Sequence, residues 1–146
     1  MGEVMLRKVS EDDLKQIFEW RNEREVRENS FASHKISWEE HQTYWKKRLA
    51  QHDFYSFIIV VEKENVGLLR LNPVDANQKY EVHILISSTY RRRGLGQATV
   101  FAAIQFAKQT GIKKLIAKVK SKNIPSKKIF EKNGFVPRCS VYEYNV

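Results

Sequence analysis

The stretch of this 146-residue chain whose residue types most suggest chemistry is Arg91-Arg92-Arg93-Gly94-Leu95-Gly96. An apolar run (Val82, Ile84, Leu85, Ile86) and a polar bend from Ser87 to Tyr90 precede it, and a helical pattern follows as far as Thr110. A strand that feeds a glycine turn and then a helix presents amides with no internal partner, at the positive end of the macrodipole. Glycines at 94 and 96 let a ligand approach bare backbone, and the arginines add formal charge. The guest this implies is a phosphate, and in particular a pyrophosphate; the bland alternative is a solvated basic turn. Close by are side chains able to move protons. Glu81 and His83 alternate with Leu85 on one face of the strand. Glu81 is one of only three acids after residue 78.

The elements that must position these groups follow from the rest of the chain. The length suits one domain over 1–146 with a real core. No apolar run is long enough to span a bilayer, and MGEVMLRKV lacks the apolar core of a signal peptide. A single cysteine, Cys139, excludes an intrachain disulfide and fits a reducing cytosol. Residues 1–78 hold 12 Lys and Arg against 14 Asp and Glu, and residues 79–146 hold 14 against 3. The positive excess therefore lies in the half that begins with the arginine–glycine stretch, as expected of a domain gripping a polyanion or of a nucleic-acid binder. No metal site is expected.

Met5 to Val9 reads as a first strand. Ser10 to Asp13 and Ser37 to Glu40 read as capping boxes opening two helices. Trp38, His41, Tyr44, Trp45 and Leu49 fall on one aromatic face of the second helix. Phe54 to Glu62 and Val66 to Asn72 read as a hairpin around Lys63-Glu64-Asn65, followed by the central strand. The helix after Gly96 carries a stripe at Val100, Phe101, Ile104 and Ala107 and stops at Gly111. A strand over Lys114 to Lys120, a short helix from Pro125 to Asn133-Gly134 and a closing strand from Phe135 to Tyr144 complete the order. The expected class is α/β, in one mixed layer with helices packed on the sheet.

Two common phosphate motifs fail here. A P-loop needs Gly-Lys-Ser/Thr, whereas Gly96 is followed by Gln97-Ala98; a dinucleotide fingerprint needs glycine where Thr99 stands. The arrangement Arg91-x-x-Gly94-x-Gly96 resembles the acetyl-CoA signature of the GNAT superfamily of N-acetyltransferases. A second motif, Asn123-x-x-Ser126-x-x-Ile129-Phe130-Glu131-Lys132-x-Gly134-Phe135, resembles that superfamily's later one, and the element order agrees over nearly the whole chain. The resemblance implies the GNAT fold, a mostly antiparallel mixed sheet with helices on both faces. It also implies acetyl-CoA as cofactor, with the pyrophosphate at Arg91, Arg92, Arg93, Gly94, Leu95, Gly96 and Gln97, and the pantetheine along Ile84, Leu85 and Ile86. Asn123, Ser126 and Phe130 would complete the cofactor site.

Acetyl transfer from a thioester to an amine needs a neutral amine, donors for an oxyanion and a tolerable thiolate. By resemblance, the amide of Leu85 or Ile86 supplies the oxyanion donor. Glu81 is the first candidate base and His83 the second; each has an ordinary alternative, a Lys or Arg partner for Glu81 and a satisfied sheet position for His83. Phe130 stands where many relatives have a proton-donating Tyr, which leaves Ser126, water, Tyr142 or Tyr144 as candidates to assist. A thiol pKa near 8.5 makes a strong acid unnecessary.

For the acceptor, Trp20-Arg21-Asn22, Val26-Arg27, Ser30-Phe31, Ile36-Ser37, Glu40-His41 and Trp45 resemble the branch acting on nucleotide-linked 4-amino sugars, as in pseudaminic acid biosynthesis. The resemblance implies that Trp20, Arg21, Asn22, Arg27, His41 and Trp45 bind the acceptor, although the tryptophans could equally be core. A protein N-terminus, a ribosomal protein or a polyamine are the alternative acceptors, and a non-enzymatic nucleic-acid module is the remote one. Either a monomer or a homodimer fits the sequence.

Overall fold

The computed structural model describes residues 3–28, 34–138 and 141–146; Ser30, Phe31 and Cys139 of the sequence reading lie outside them. The elements are β1 (Val4–Lys8), α1 (Leu14–Arg21), α2 (Arg24–Glu28), α3 (Trp38–Leu49), β2 (Tyr55–Val61), β3 (Glu64–Pro73), β4 (Lys79–Ile86), α4 (Leu95–Thr110), β5 (Lys114–Lys118), α5 (Ile124–Lys132), β6 (Val136–Arg138) and β7 (Val141–Asn145). They form one seven-stranded sheet in the order β1-β2-β3-β4-β5-β7-β6. Only β4 and β5 run parallel. The expected closing strand is in fact two, with β7 inserted between β5 and β6.

Strand alternation sorts the core into two layers. On one face Tyr80 and Val82 of β4 pack with Leu95, Val100, Ala103, Ile104 and Ala107 of α4 and Phe130 of α5. On the other, Ile58 and Leu68 pack with Leu14, Ile17 and Trp20 of α1 and Trp45 of α3. Helices therefore cover both faces. Phe101 falls outside the α4 stripe and is 59% exposed, and the stripe runs instead through Val100, Ala103, Ile104 and Ala107.

Local chemistry fixes the element ends. The Asp13 carboxylate accepts the Ser10 amide at 2.8 Å and takes both terminal nitrogens of Arg7 at 3.0 Å, tying the start of the first helical segment to β1. Ser37 Oγ accepts the Glu40 amide at 3.2 Å and opens α3. The β2–β3 hairpin turns at Glu62 and Lys63, both at positive φ (50° and 70°), as a two-residue turn of this hand requires.

Gly67 lies where β3 presses against β4: a Cβ there would run into the Leu85 carbonyl oxygen. Gly67→Ala should therefore cost about 3 kcal/mol in urea denaturation, because backbone rather than a flexible side chain must move. A loss no larger than that of an exposed strand glycine would show that β4 is free to shift.

Candidate active site

β4 and β5 stay together for only three residue pairs, ending at Glu81 opposite Ile116. Beyond that point they diverge and open a cleft of about 770 Å³. β4 forms one wall with Val82 to Ile86, and Lys118 at the end of β5 with Val119 just beyond it forms the other. The mouth is framed by Arg91, Arg92, Gly94, Leu95 and Gly96 from the start of α4, and by Asn123, Ser126, Ile129 and Phe130 of α5.

The backbone of β4 is divided between its two neighbours. Ser87 N–H donates to Val66 O at 2.9 Å, and the β3–β4 register runs unbroken from there. Counting back in twos, the antiparallel ladder turns the main-chain groups of Leu85, His83 and Glu81 toward β3. Those of Ile84 and Ile86 face the open side, where β5 has left. Of the two amides expected as oxyanion donors, Leu85 is thus committed to β3, and Ile86 alone faces the cleft. The side chain of Arg91 reaches the same edge, donating from Nε to Ile86 O at 3.3 Å.

The turn before α4 is built by two left-handed residues, Arg92 (φ 65°) and Gly94 (φ 75°). They aim successive amides at one point, a concavity suited to anions. The amides of Leu95, Gly96 and Gln97 precede the first intrahelical bond, from Ala98 N–H to Gly94 O. Two residues expected at the cofactor are not part of the cleft lining: the Arg93 guanidinium lies 5.5 Å over the ring of Tyr90, which does line it, and the Gln97 side chain is exposed.

Asn123 Oδ1 accepts the Ser126 amide at 3.3 Å, so Asn123 caps α5 while Ser126 lines the cleft. Phe130 sits edge-on to Phe135 at 5.0 Å and forms part of the wall. The C-terminal tyrosines point elsewhere: Tyr142 donates its hydroxyl to Glu131 at 3.3 Å, and Tyr144 packs on Phe135. Neither is placed to protonate a group in the cleft.

On the opposite face of β4, His83 lines the cleft, whereas Glu81 sits just behind it at the last paired position. Glu81 Oε1 lies 3.6 Å from His83 Nε2 and 3.9 Å from Lys118 Nζ. The His83 pKa is pushed down to about 3, chiefly by burial and then by Arg70, Arg48 and Lys118. Three cations outweigh one carboxylate, so the imidazole is neutral and its contact with Glu81 is not an ion pair. Unfolded, the same histidine titrates near 6.5. Its contribution to stability is therefore complete above pH 6.5 and declines as the pH falls from there toward 3, since the unfolded chain binds the proton first. Wild-type protein should lose more Tm between pH 6.5 and 4 than His83→Gln does; parallel curves would show that the imidazole is not held neutral.

The acceptor residues read from sequence are mostly not in the cleft. Trp20 (6% exposed), His41 (2%) and Trp45 (2%) are buried between α1, α3 and the sheet. His41 Nε2 is 2.7 Å from Leu14 O, and burial lowers its pKa. Asn22 staples the chain at Ile36, accepting its amide at 3.0 Å and donating to its carbonyl at 3.2 Å. Arg27 donates to Asn22 O at 3.2 Å and does not line the cleft. For His41 and Trp45 the cause is the phase of α3, whose buried line is His41, Trp45 and Arg48; Trp20 is core because it faces the sheet from α1. Arg21 alone of the six lines the cleft. Sequence reasoning missed Arg70 of β3 and Lys118 of β5, which also line it. Arg70 interrupts the apolar run Val66 to Leu71, and only the register of β3 with β4 shows that it stands directly opposite His83.

A sheet splayed beside a glycine turn is the architecture of an acyl-CoA transferase, and comparison with known proteins agrees. The chain belongs to the GNAT acetyltransferase domain family, whose model matches residues 3–136; the acetyl donor of that family is acetyl-CoA. It is similar to protein MJ1062 of Methanocaldococcus jannaschii, at 26% identity over 140 residues. That match covers 92% of this chain and 28% of MJ1062, so the chain spans little more than a quarter of that relative's length. Among solved structures, a domain from Methanocaldococcus jannaschii superposes with a TM-score of 0.85 at 24% identity, covering 100% of both chains. Spermidine N-acetyltransferase from Vibrio cholerae, solved with CoA and spermine, has a TM-score of 0.85 at 18% identity, covering 97% of this chain and 93% of that one. At these identities the structural likeness establishes the fold. No helix among the described residues is long and apolar enough to cross a membrane.

Proposed function

We propose that this chain acetylates a primary amine from acetyl-CoA in the β4–β5 cleft, and that the amine is the 4-amino group of a nucleotide-linked amino sugar. The observation that carries the reaction is the splay itself: β4 turns Ile84 and Ile86 backbone groups, which no β5 residue pairs, into a cleft whose mouth is a phosphate turn. The residues present fit the cofactor. An extended amide-bearing arm can pair with an open strand edge as an added strand would, and a pyrophosphate suits the turn at 91–96. When bound, acetyl-CoA supplies an acyl thioester and departs as a thiol.

The chain's own groups do the rest. The Ile86 amide, on the open edge of β4, would be the donor for the acyl oxygen when the cofactor is bound. His83 meets the incoming amine and passes its proton back toward Glu81. Ser126 is the hydroxyl nearest in role to the missing tyrosine, because the other cleft hydroxyl among the described residues, Tyr90, donates to Glu64 at 2.9 Å. Phe130 serves as an apolar wall for the arm.

The acceptor class is tested by thiol release from acetyl-CoA against UDP-linked 4-amino-4,6-dideoxy sugars, spermine, kanamycin and short peptides. Turnover with the nucleotide sugar is expected. Turnover confined to spermine or a peptide would leave the reaction standing and overturn the acceptor.

A further inference from the structure

We propose that Arg70, with Arg21 beside it, is an anion subsite for the acceptor, so that the amine substrate carries a phosphate or carboxylate group in reach of its reacting nitrogen. The inference rests on reading the cleft as the acyl-transfer site, and it concerns the acceptor face rather than the phosphate turn.

Arg70 stands on β3 directly across the ladder from His83, and strand alternation puts both on the face away from α4. Arg70, Arg21 and His83 all line the cleft. Arg70 is close enough to bear on Arg21: the Arg21 guanidinium is lowered from its ordinary pKa first by burial, then by Arg70 and Arg27.

Arg70 is also held in place. Its Nη1 donates to Tyr44 Oη at 2.7 Å, and its guanidinium lies 5.9 Å over the Tyr44 ring. Arg48, from the other side, reaches the same hydroxyl at 3.5 Å. One edge of the fork is thereby fixed while Nε and Nη2 have no protein acceptor among the described residues, a geometry suited to a bidentate anion. No carboxylate lies within ion-pair distance of Arg70 among the described residues. The two nearby acids contact other groups: Glu25 is 3.6 Å from Arg91, and Glu81 contacts His83 and Lys118.

A polycationic acceptor would approach its reacting position against Arg21, Arg70 and Lys118 together. An anionic one would be drawn in and oriented. Phosphate and carboxylate share this chemistry, and a titration separates them.

The protein is first saturated with CoA, so that the phosphate turn is filled, and UDP, inorganic pyrophosphate and L-aspartate are then titrated calorimetrically in separate runs. At least one should bind. Arg70→Met should weaken that binding at least about tenfold, and Arg70→Lys, which keeps charge but loses the fork, should weaken it by an intermediate factor. The dissociation constant for acetyl-CoA should stay within about twofold in both. Binding of UDP or pyrophosphate marks a phosphate-bearing acceptor, and binding of aspartate alone marks a carboxylate-bearing one. No binding of any probe to the CoA-saturated wild type, or binding to Arg70→Met and to Arg21→Met as tight as to wild type, overturns the subsite. A wild type that fails to bind acetyl-CoA would instead overturn the function on which it rests.

Discussion

Replacing Glu81 by Gln should lower kcat/KM about 100-fold at pH 7, and the deficit should shrink steadily as the pH approaches the acceptor amine's own pKa. The substitution preserves shape and removes the carboxylate's charge together with its capacity to hold a proton. At neutral pH the acceptor is mostly an ammonium, and a base is needed to free its lone pair. At high pH the amine arrives already neutral, and the base matters less. His83 lies between Glu81 and the cleft, and with a pKa of about 3 it is too weak a base to act alone. His83→Gln should therefore reproduce the same pH-dependent deficit, and the double variant should add little. An equal loss at every pH would mean that Glu81 serves only as the partner of Lys118, 3.9 Å away.

Arg48→Ala should destabilise the fold by about 3 kcal/mol, roughly 10 °C in Tm for a chain of this size. The side chain is 3% exposed and has no carboxylate partner among the described residues. It donates instead to Ser56 Oγ at 2.6 Å, to Tyr55 O at 2.8 Å and to Asn72 Oδ1, and stacks 5.1 Å from the Phe54 ring. These bonds fasten α3 to β2 and β3. Removing the guanidinium strands three acceptors and leaves a hole. Burial pushes its pKa down to about 10, so the charge itself is held at a cost. Arg48→Met, which fills the space without the charge, separates the two contributions. A methionine variant as stable as wild type would show that packing, not hydrogen bonding, carries the anchor. The same substitution should move the His83 pKa upward, because Arg48 is one of the cations that hold it down.

What the sequence revealed about this site follows from how local each feature is. The geometry of the turn before α4 was legible because it is a matter of backbone: Gly94 and Gly96 announce bare amides wherever the fold places them, and a strand before and a helix after complete the signal. Although the capping role of Asn123 emerged only in the structure, the capping residue Ser37 was legible because it answers a backbone amide three residues on. The acceptor face was not, because Trp20, His41 and Trp45 have the residue types of a sugar platform and the burial of a core. Helical spacing cannot separate those cases. For His41 and Trp45 the phase of α3 decides, and it is set by Arg48, a charged residue that periodicity would place outward. Arg70 and Lys118 look like ordinary outward residues of a half-buried sheet. They become site residues only because β4 and β5 part after Glu81, and no local pattern in either strand announces that divergence. The parity that gives Ile86 rather than Leu85 to the cleft likewise depends on the register with β3.

The most direct test of the cleft as the acetyl-CoA site is site-resolved amide hydrogen exchange with and without acetyl-CoA. The expected result is slowed exchange at Ile84, Ile86 and residues 92–97, with α3 and the β1–β2 edge unchanged. Protection confined to other elements, or none at saturating acetyl-CoA, would contradict the assignment of the β4–β5 splay as the place where the acetyl donor binds.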